Sequence, residues 1–478
     1  MRRKIKRVGI HWATVAGLFA LLAVAVLGGF ATNRTRSALA AAHASTVYLP
    51  IVARDFPLKT IFGVETQRGL FSGQGLEEIV GAEISWVRRN VVLWADVEPN
   101  QGDRNWGALA SLEQELINAS MENIEVVLIV RRTPDWAQKM SESYCGPIKS
   151  SKLSAFGNFM YDLVARYSEP PYNVRYYEIW NEPDLPVNAS DDVYGCWGEP
   201  SDAYYGGGYF AEALKAAYPM VKAADPTAKV LVGGLLLDCD PDNPPAGKDC
   251  KPSKFLEGIL LNDGASYFDG VSFHAYEYYL DALGVYGNSN WNSSWDTTGP
   301  VVIAKAQFLK GVLSNRGVSG KFLINTESGL LCVPAWGITC GGTFQTTKAY
   351  YVPQAYAVAI AEGLKGNVWY SLFGWRNSEL LESNLNPRPA YFAFQFARSE
   401  IGGADFVQEI TSYPAVKVYE LDRGDRLIWV IWSLDGNDHS LTLPSTPSAI
   451  YDSFGTAVSV SNPLDLNFAD GPLYIEWP

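Results

Sequence analysis

The run Val174-Arg175-Tyr176-Tyr177-Glu178-Ile179-Trp180-Asn181-Glu182-Pro183 reads as a strand that stops on a carboxylate and a proline. Valine, tyrosine, isoleucine and tryptophan favour the pleated conformation. Pro183 offers no N–H to a ladder and pushes the residue before it towards extended backbone, so Glu182 is expected extended, at a strand exit. On both sides of this run lie stretches with apolar residues at helical spacing, Leu153–Tyr167 before it and Tyr209–Ala224 after it.

Working outward, the same alternation recurs from about residue 60 to 400. Strand-like runs are Thr60–Glu65, Ile84–Val91, Ile124–Arg131, Val174–Asn181, Lys229–Gly234, Phe268–Ala275, Lys321–Glu327 and Asn367–Phe373. The helical stretches between and after them are Leu76–Val80, Leu109–Asn118, Leu153–Tyr167, Tyr209–Ala224, Phe255–Asn262, Val301–Asn315, Ala349–Glu362 and Ala390–Ser399. Strict alternation implies a parallel sheet, because a parallel crossover needs a connecting helix. Eight consecutive units favour a closed (β/α)8 TIM barrel over an open doubly wound sheet.

Beyond Gly402 the helical period disappears. Short runs rich in Val, Ile, Tyr and Trp (Val416–Leu421, Leu427–Trp432, Leu441–Leu443, Leu473–Glu476) alternate with turn residues, the pattern of a small all-β, sandwich-like domain. Trp429, Trp432 and Trp477 are expected to pack this domain or its face against the barrel rather than to bind sugar. The expected division is therefore an N-terminal export segment over 1–44, a linker or extra strand over 45–59, a barrel over 60–402 and a β-domain over 403–478.

The export reading rests on Arg2, Arg3, Lys4, Lys6 and Arg7, an apolar run from Trp12 to Ala31, and the small-residue stretch Ala38-x-Ala40 to Ala42-x-Ala44. That is the order of a signal peptide. Uncleaved, the apolar run is just long enough to anchor the chain in a membrane. Either way the remainder lies outside the cytoplasm, extracellular or on the cell surface. In such a compartment an even cysteine count favours disulfides over metal ligation. Cys239 with Cys250 and Cys332 with Cys340 would close short loops, leaving Cys145 and Cys196; the connectivity stays open at this level. The net charge of −13 over 478 residues, without a basic patch beyond the N-terminus, argues against a nucleic-acid partner. Aromatic residues make up 13% of the chain, a content that suits both a large core and the stacking of sugar rings.

A barrel places its chemistry at the C-terminal ends of its strands. Two carboxylates fall there: Glu182 after the fourth run, and Glu327 in Asn325-Thr326-Glu327-Ser328-Gly329 at the end of the seventh. These two runs face each other across a barrel mouth. One protonated and one ionised carboxyl group flanking a sugar is what glycosidic bond cleavage requires. Trp180-Asn181-Glu182-Pro183 on the fourth strand, with a Glu closing the seventh, resembles the clan A superfamily of retaining glycoside hydrolases, β-xylosidase-like families with a small β-domain included. The resemblance spans about residues 60 to 400. It implies that Glu182 is the acid/base, Glu327 the nucleophile, and Asn181 a hydrogen-bond partner of the sugar 2-hydroxyl. It also implies that Arg88, in Trp86-Val87-Arg88, lies beside the nucleophile, where its charge would keep Glu327 ionised. Arg89 should point to the opposite face. His274 and Tyr276, two residues apart on the sixth strand, are expected in the site, the Tyr hydroxyl reaching the nucleophile.

Trp375, preferred over Trp369 and Tyr370, is the expected sugar platform, and Trp94, in a loop with Glu98, Gly102 and Trp106, is a supporting candidate. The expected partner is an oligo- or polysaccharide, and neither cofactor nor metal is expected. His274 and His439 cannot form a two-His zinc site from one barrel, and the GxSxG and GxxxxGK[ST] motifs are absent from the sequence. Asp238-Cys239-Asp240-Pro241-Asp242 resembles half a calcium loop but reads better as an ordinary acidic loop. The rival reading is a non-catalytic glycan-binding or cell-surface scaffold on the same barrel.

Overall fold

The computed structural model describes residue 56 and residues 58–187, 195–288, 293–295 and 299–478. The expected export segment and the strand expected over Thr46–Arg54 lie outside the described residues. Among the described residues no helix is long and apolar enough to cross a membrane.

Eight parallel strands form the barrel: β1 (Phe62–Glu65), β2 (Trp86–Leu93), β3 (Glu125–Arg131), β4 (Tyr176–Asn181), β5 (Lys229–Leu235), β6 (Gly270–Tyr279), β7 (Phe322–Leu331) and β8 (Asn367–Tyr370). Each pairs with its sequence neighbour, and β1 pairs with β8, so the sheet closes without an edge. The helices after them are α1 (Leu76–Gly81), α2 (Ala110–Met121), α3 (Leu153–Tyr167), α4 (Gly207–Ala224), α5 (Phe255–Leu261), α6 (Val302–Asn315), α7 (Gly342–Ala361) and α8 (Pro389–Ile401). Helix α3 shows why they lie on the sheet: Phe156, Phe159, Met160, Leu163, Val164 and Tyr167 recur at helical spacing and are all buried.

Two strands run further than their sequence suggests. β6 continues to Tyr279 and β7 to Leu331, because the two keep pairing beyond the barrel rim, from His274 opposite Glu327 to Tyr278 opposite Leu331. Glu327 therefore sits within a strand and not at its end. Helix α7 starts seven residues earlier than its apolar pattern, at Gly342, and is buried along most of its length.

The C-terminal region accounts for part of that burial. There β9 (Asp405–Glu409), β10 (Val416–Asp422), β11 (Leu427–Ser433), β13 (Ala449–Tyr451) and β15 (Leu473–Trp477) make an antiparallel sheet in the order β9-β10-β11-β15-β13. β12 (His439–Leu441) and β14 (Leu464–Leu466) form a second, two-stranded sheet. Alternation along β11 serves two cores. Ile428, Val430 and Trp432 join the barrel's apolar cluster, whereas Trp429 and Ile431 pack with Leu441, Leu464, Leu466 and Trp477 between the sheets. All three tryptophans of this region are thus structural.

The six cysteines form Cys145–Cys196, Cys239–Cys250 and Cys332–Cys340. The first ties the loop after β3 to the loop after β4, directly behind the strand that carries Glu182.

Candidate active site

Arg88 organises the upper barrel. It is fully buried on β2, and every N–H of its guanidinium has a partner. Nη2 donates to Glu178 Oε1 at 2.8 Å and to Asn181 Oδ1 at 2.6 Å, and Nε reaches Glu178 Oε2 at 3.3 Å. Nη1 donates to Glu65 Oε2 at 2.8 Å and to Glu327 Oε1. Burial opposes the guanidinium charge, but Glu178, Glu327 and Glu65 around it raise its pKa well above the usual value. Arg89 points outward as alternation requires, to Glu115 and the Thr66 carbonyl.

Glu327 accepts a second hydrogen bond, from the Tyr276 hydroxyl. Burial pushes its pKa up to about 7, with Arg88 and Tyr276 acting in the opposite direction. Across the mouth, Glu182 is buried and its Oε1 lies 2.8 Å from His274 Nδ1. Its pKa is raised well above the usual carboxylate range, first by burial and then by the charges of Glu327 and Asp184. Of the two, Glu182 holds its proton more tightly and Glu327 is the readier to ionise. Burial, then the charges of Arg88 and Lys305, depress the His274 pKa well below its ordinary value, so the ring is neutral. A neutral imidazole serves both states of Glu182, as acceptor from the acid and as donor to the carboxylate. Gly234 stands against His274 Nε2, where a Cβ would collide with the ring.

One correction concerns the backbone. Glu182 is not extended: its φ is +46°, and that of Trp180 is +67°. The left-handed turn at Trp180 resets strand alternation. Trp180 swings outward to pack on Trp197 and bond the Cys145 carbonyl, while Glu178, Asn181 and Glu182 all reach the barrel mouth. The Glu182 N–H donates to the Gly234 carbonyl at 2.9 Å, which fixes the kink to β5.

Asn181, Glu182, Tyr276 and Glu327 line a cavity of ≈ 510 Å³ together with Glu65, Asn90, Tyr278, Lys305, Tyr370, Trp375 and others, mostly from the β4–β6 loops, with Arg88 and His274 in contact with its two carboxylates from behind. Trp375 stands half-buried with its ring centroid 5.5 Å from those of both Tyr276 and Tyr370. Of the expected residues the structure brings together Asn181, Glu182, Arg88, His274, Tyr276, Glu327 and Trp375. Trp94 is elsewhere: it is fully buried, packs on Trp136 and Phe156, and donates its indole N–H to Glu98 at 2.9 Å. It does not line the cavity, so it packs the barrel and is not a site residue. Asp238 pairs with Lys248 at 3.0 Å, in keeping with an ordinary acidic loop.

Sequence reasoning passed over Glu65, Glu178, Asp184 and Lys305. Glu65 closes β1 and Glu178 interrupts an apolar strand; a carboxylate at either place was a readable signal. Asp184 accepts from the N–H groups of Leu236 and Leu237, and Lys305 donates to the carbonyls of Leu236 and His274 at 2.7 and 2.9 Å. Together they pin the loop after β5, and nothing local in the sequence announces either. Glu182, His274 and Glu327 also have ligand atoms within 4.8 Å of one another, the spacing of a cation site. The Arg88 guanidinium bonded to Glu327 opposes a second cation there, and the three read better as proton-handling groups.

No protein-family model matches the chain, and no curated protein does. Solved structures do. A family 39 glycoside hydrolase from Bacteroides cellulosilyticus is 18% identical, with 88% of this chain and 81% of that one covered at a TM-score of 0.66. A family 30 subfamily 8 xylanase from Clostridium acetobutylicum is 15% identical, covering 87% and 96% at 0.59. A family 30 endoxylanase from Clostridium papyrosolvens is 12% identical, covering 88% and 96% at 0.58. At these identities the similarity establishes the fold: a TIM barrel carrying a C-terminal β-domain.

Proposed function

We propose that this chain is a retaining glycoside hydrolase that cleaves a β-linked glycan by double displacement, with Glu327 as nucleophile and Glu182 as acid/base. The observation that carries the reading is the pair itself. A carboxylate oxygen of each lies within 4.8 Å of the other in one cavity, in keeping with the short separation of about 5–5.5 Å used by retaining enzymes. Their surroundings separate their roles. Glu327 is held by a cation and a phenol, and Glu182 is held by a neutral imidazole away from any direct cation partner.

In the first step a Glu327 oxygen attacks the anomeric carbon as the bond to the leaving oxygen breaks, and that oxygen takes the proton of Glu182. In the second, Glu182, now a carboxylate, removes a proton from water. The water oxygen attacks the same carbon and frees Glu327. Two inversions give net retention. Trp375 offers the flat apolar face on which the sugar ring rests, and Asn181, held by Arg88, is placed for the 2-hydroxyl.

A binding-only scaffold on this barrel has no use for an acid of raised pKa beside a readily ionised partner, an arrangement that clusters at catalytic sites. For the sugar, the β-xylosidase-like class is the working case, supported by the accompanying β-domain and by the xylanases among the similar folds. Three disulfides support export through the N-terminal segment. The proposed boundaries remain 60–402 for the barrel and 403–478 for the β-domain. Chromogenic glycosides and polysaccharides, xylosides included, with product configuration followed by NMR, test the proposal. Turnover with retained configuration is expected, and a product of inverted configuration contradicts it.

A further inference from the structure

The arrangement around Arg88 holds more carboxylates than either its own neutralisation or the proposed reaction requires. Glu178 meets the guanidinium through both of its oxygens and is fully buried. With Asn181 and Glu327 it would suffice to fix Arg88. Glu65 is different in kind. Only its Oε2 is engaged, by Arg88 Nη1, and its carboxyl group lines the cavity. Among the described residues Oε1 has no protein partner, and it is not sealed off from the cavity. Asn90, Asn181, Tyr370 and Trp375 line the same cavity: three polar side chains and one flat ring, a combination matched to a polyhydroxylated ring and poorly matched to an apolar ligand.

The position is also fixed. Glu65 is the last residue of β1, paired with Arg88 on β2 and with Tyr370 on β8 in register. Its carboxyl group therefore keeps its place on a rigid element next to Glu327, and not on a loop.

Resting on the hydrolase reading, we propose that Glu65 is a specificity-determining substrate-binding residue: its free carboxyl oxygen hydrogen-bonds a ring hydroxyl of the sugar attacked by Glu327. It thereby selects a sugar unsubstituted at that position. A sugar acylated or methylated on that hydroxyl loses the bond.

The test pairs Glu65→Ala and the gentler Glu65→Gln with monodeoxy aryl glycosides of whichever sugar the wild-type enzyme prefers. A hydrogen bond to a charged group predicts a loss of about 10- to 100-fold in kcat/KM for Glu65→Ala on the parent glycoside, and a smaller loss for Glu65→Gln. One monodeoxy analogue, poor for the wild type by a similar factor, should be turned over by Glu65→Ala no more than about threefold worse than by the wild type, since the contact is already missing. The other analogues should keep the full loss. An equal loss on every analogue means that Glu65 acts only through Arg88 and overturns the proposal, as does a variant with wild-type kinetics throughout. If the wild type turns over no glycoside at all, the underlying hydrolase reading fails, and that result is seen before any variant is made.

Discussion

Replacing Arg88 by methionine removes the one cation at the centre of a cluster containing Glu65, Glu178 and Glu327. The shape is nearly kept, so the effect is electrostatic. Breaking a buried ion pair from one side costs about 3–5 kcal/mol. Three carboxylates lose their partner here, and uptake of protons caps the penalty near that range. At about 2.1 cal/mol/K per residue, roughly 420 folded residues have an unfolding entropy near 0.9 kcal/mol/K, so the melting temperature should fall by about 3–6 °C at pH 8. The pH dependence follows from the direction of the shifts. Glu65 and Glu327 already have raised pKa values in the fold, and losing Arg88 raises them further. A group of raised folded pKa favours the fold below its unfolded pKa and loses that contribution as pH rises towards the folded value. The deficit should therefore be small near pH 4.5 and grow through pH 7. Scanning calorimetry of wild type and variant at pH 5 and 8 measures it, with kcat/KM expected to drop steeply in parallel. A variant that melts within a degree of the wild type at pH 8, or whose deficit is larger at pH 5, refutes the reasoning.

Glu327 is pushed up to about 7 and Glu182 further, so kcat/KM should fall below about pH 7 as Glu327 protonates, and fall again at higher pH as Glu182 loses its proton; a pH–rate profile flat between 5 and 8 contradicts this. Trp375→Ala should raise KM about 3- to 10-fold with a lesser effect on kcat, the size of one lost stacking contact, measured by steady-state kinetics on a glycoside. The natively exported protein should show no reactive thiol when denatured without reductant and treated with a maleimide, since all six cysteines are paired; mass spectrometry finding several labelled cysteines would contradict the pairing.

The barrel was legible because its units are local. Alternating β-runs and helical periods need no tertiary knowledge, and Glu182 and Glu327 fall where such a barrel gathers its polar ends. What escaped depends on contacts distant in sequence. β6 and β7 overrun their apolar stretches because they pair with each other. The beginning of α7, Gly-Thr-Phe-Gln-Thr-Thr-Lys, looks too polar for a buried helix until the end of β6 and the loop after β8 are laid against it, where Phe344 packs on Tyr279 and Lys348 donates to the carbonyls of Asn377 and Glu379. Strict alternation puts Asn181 on the face opposite Glu182, and the left-handed Trp180 is what brings both to the mouth. Trp94 misled in the other direction, since an aromatic residue after a barrel strand suits a sugar platform and a packed core equally well. Short strands such as Ala449–Tyr451 and Leu464–Leu466 carry too few residues for a period to show.

The two-glutamate mechanism is tested most directly by azide rescue of Glu182→Ala and Glu327→Ala on a dinitrophenyl glycoside, whose leaving group needs no protonation. Glu182→Ala should still form the glycosyl–enzyme, stall at its hydrolysis, and be accelerated by azide to a glycosyl azide of retained configuration. Glu327→Ala should fall to background without azide and, if rescued, give the inverted azide by direct attack. The reverse pattern of configurations means that the roles are exchanged. Near-normal activity in both variants without azide contradicts the mechanism altogether.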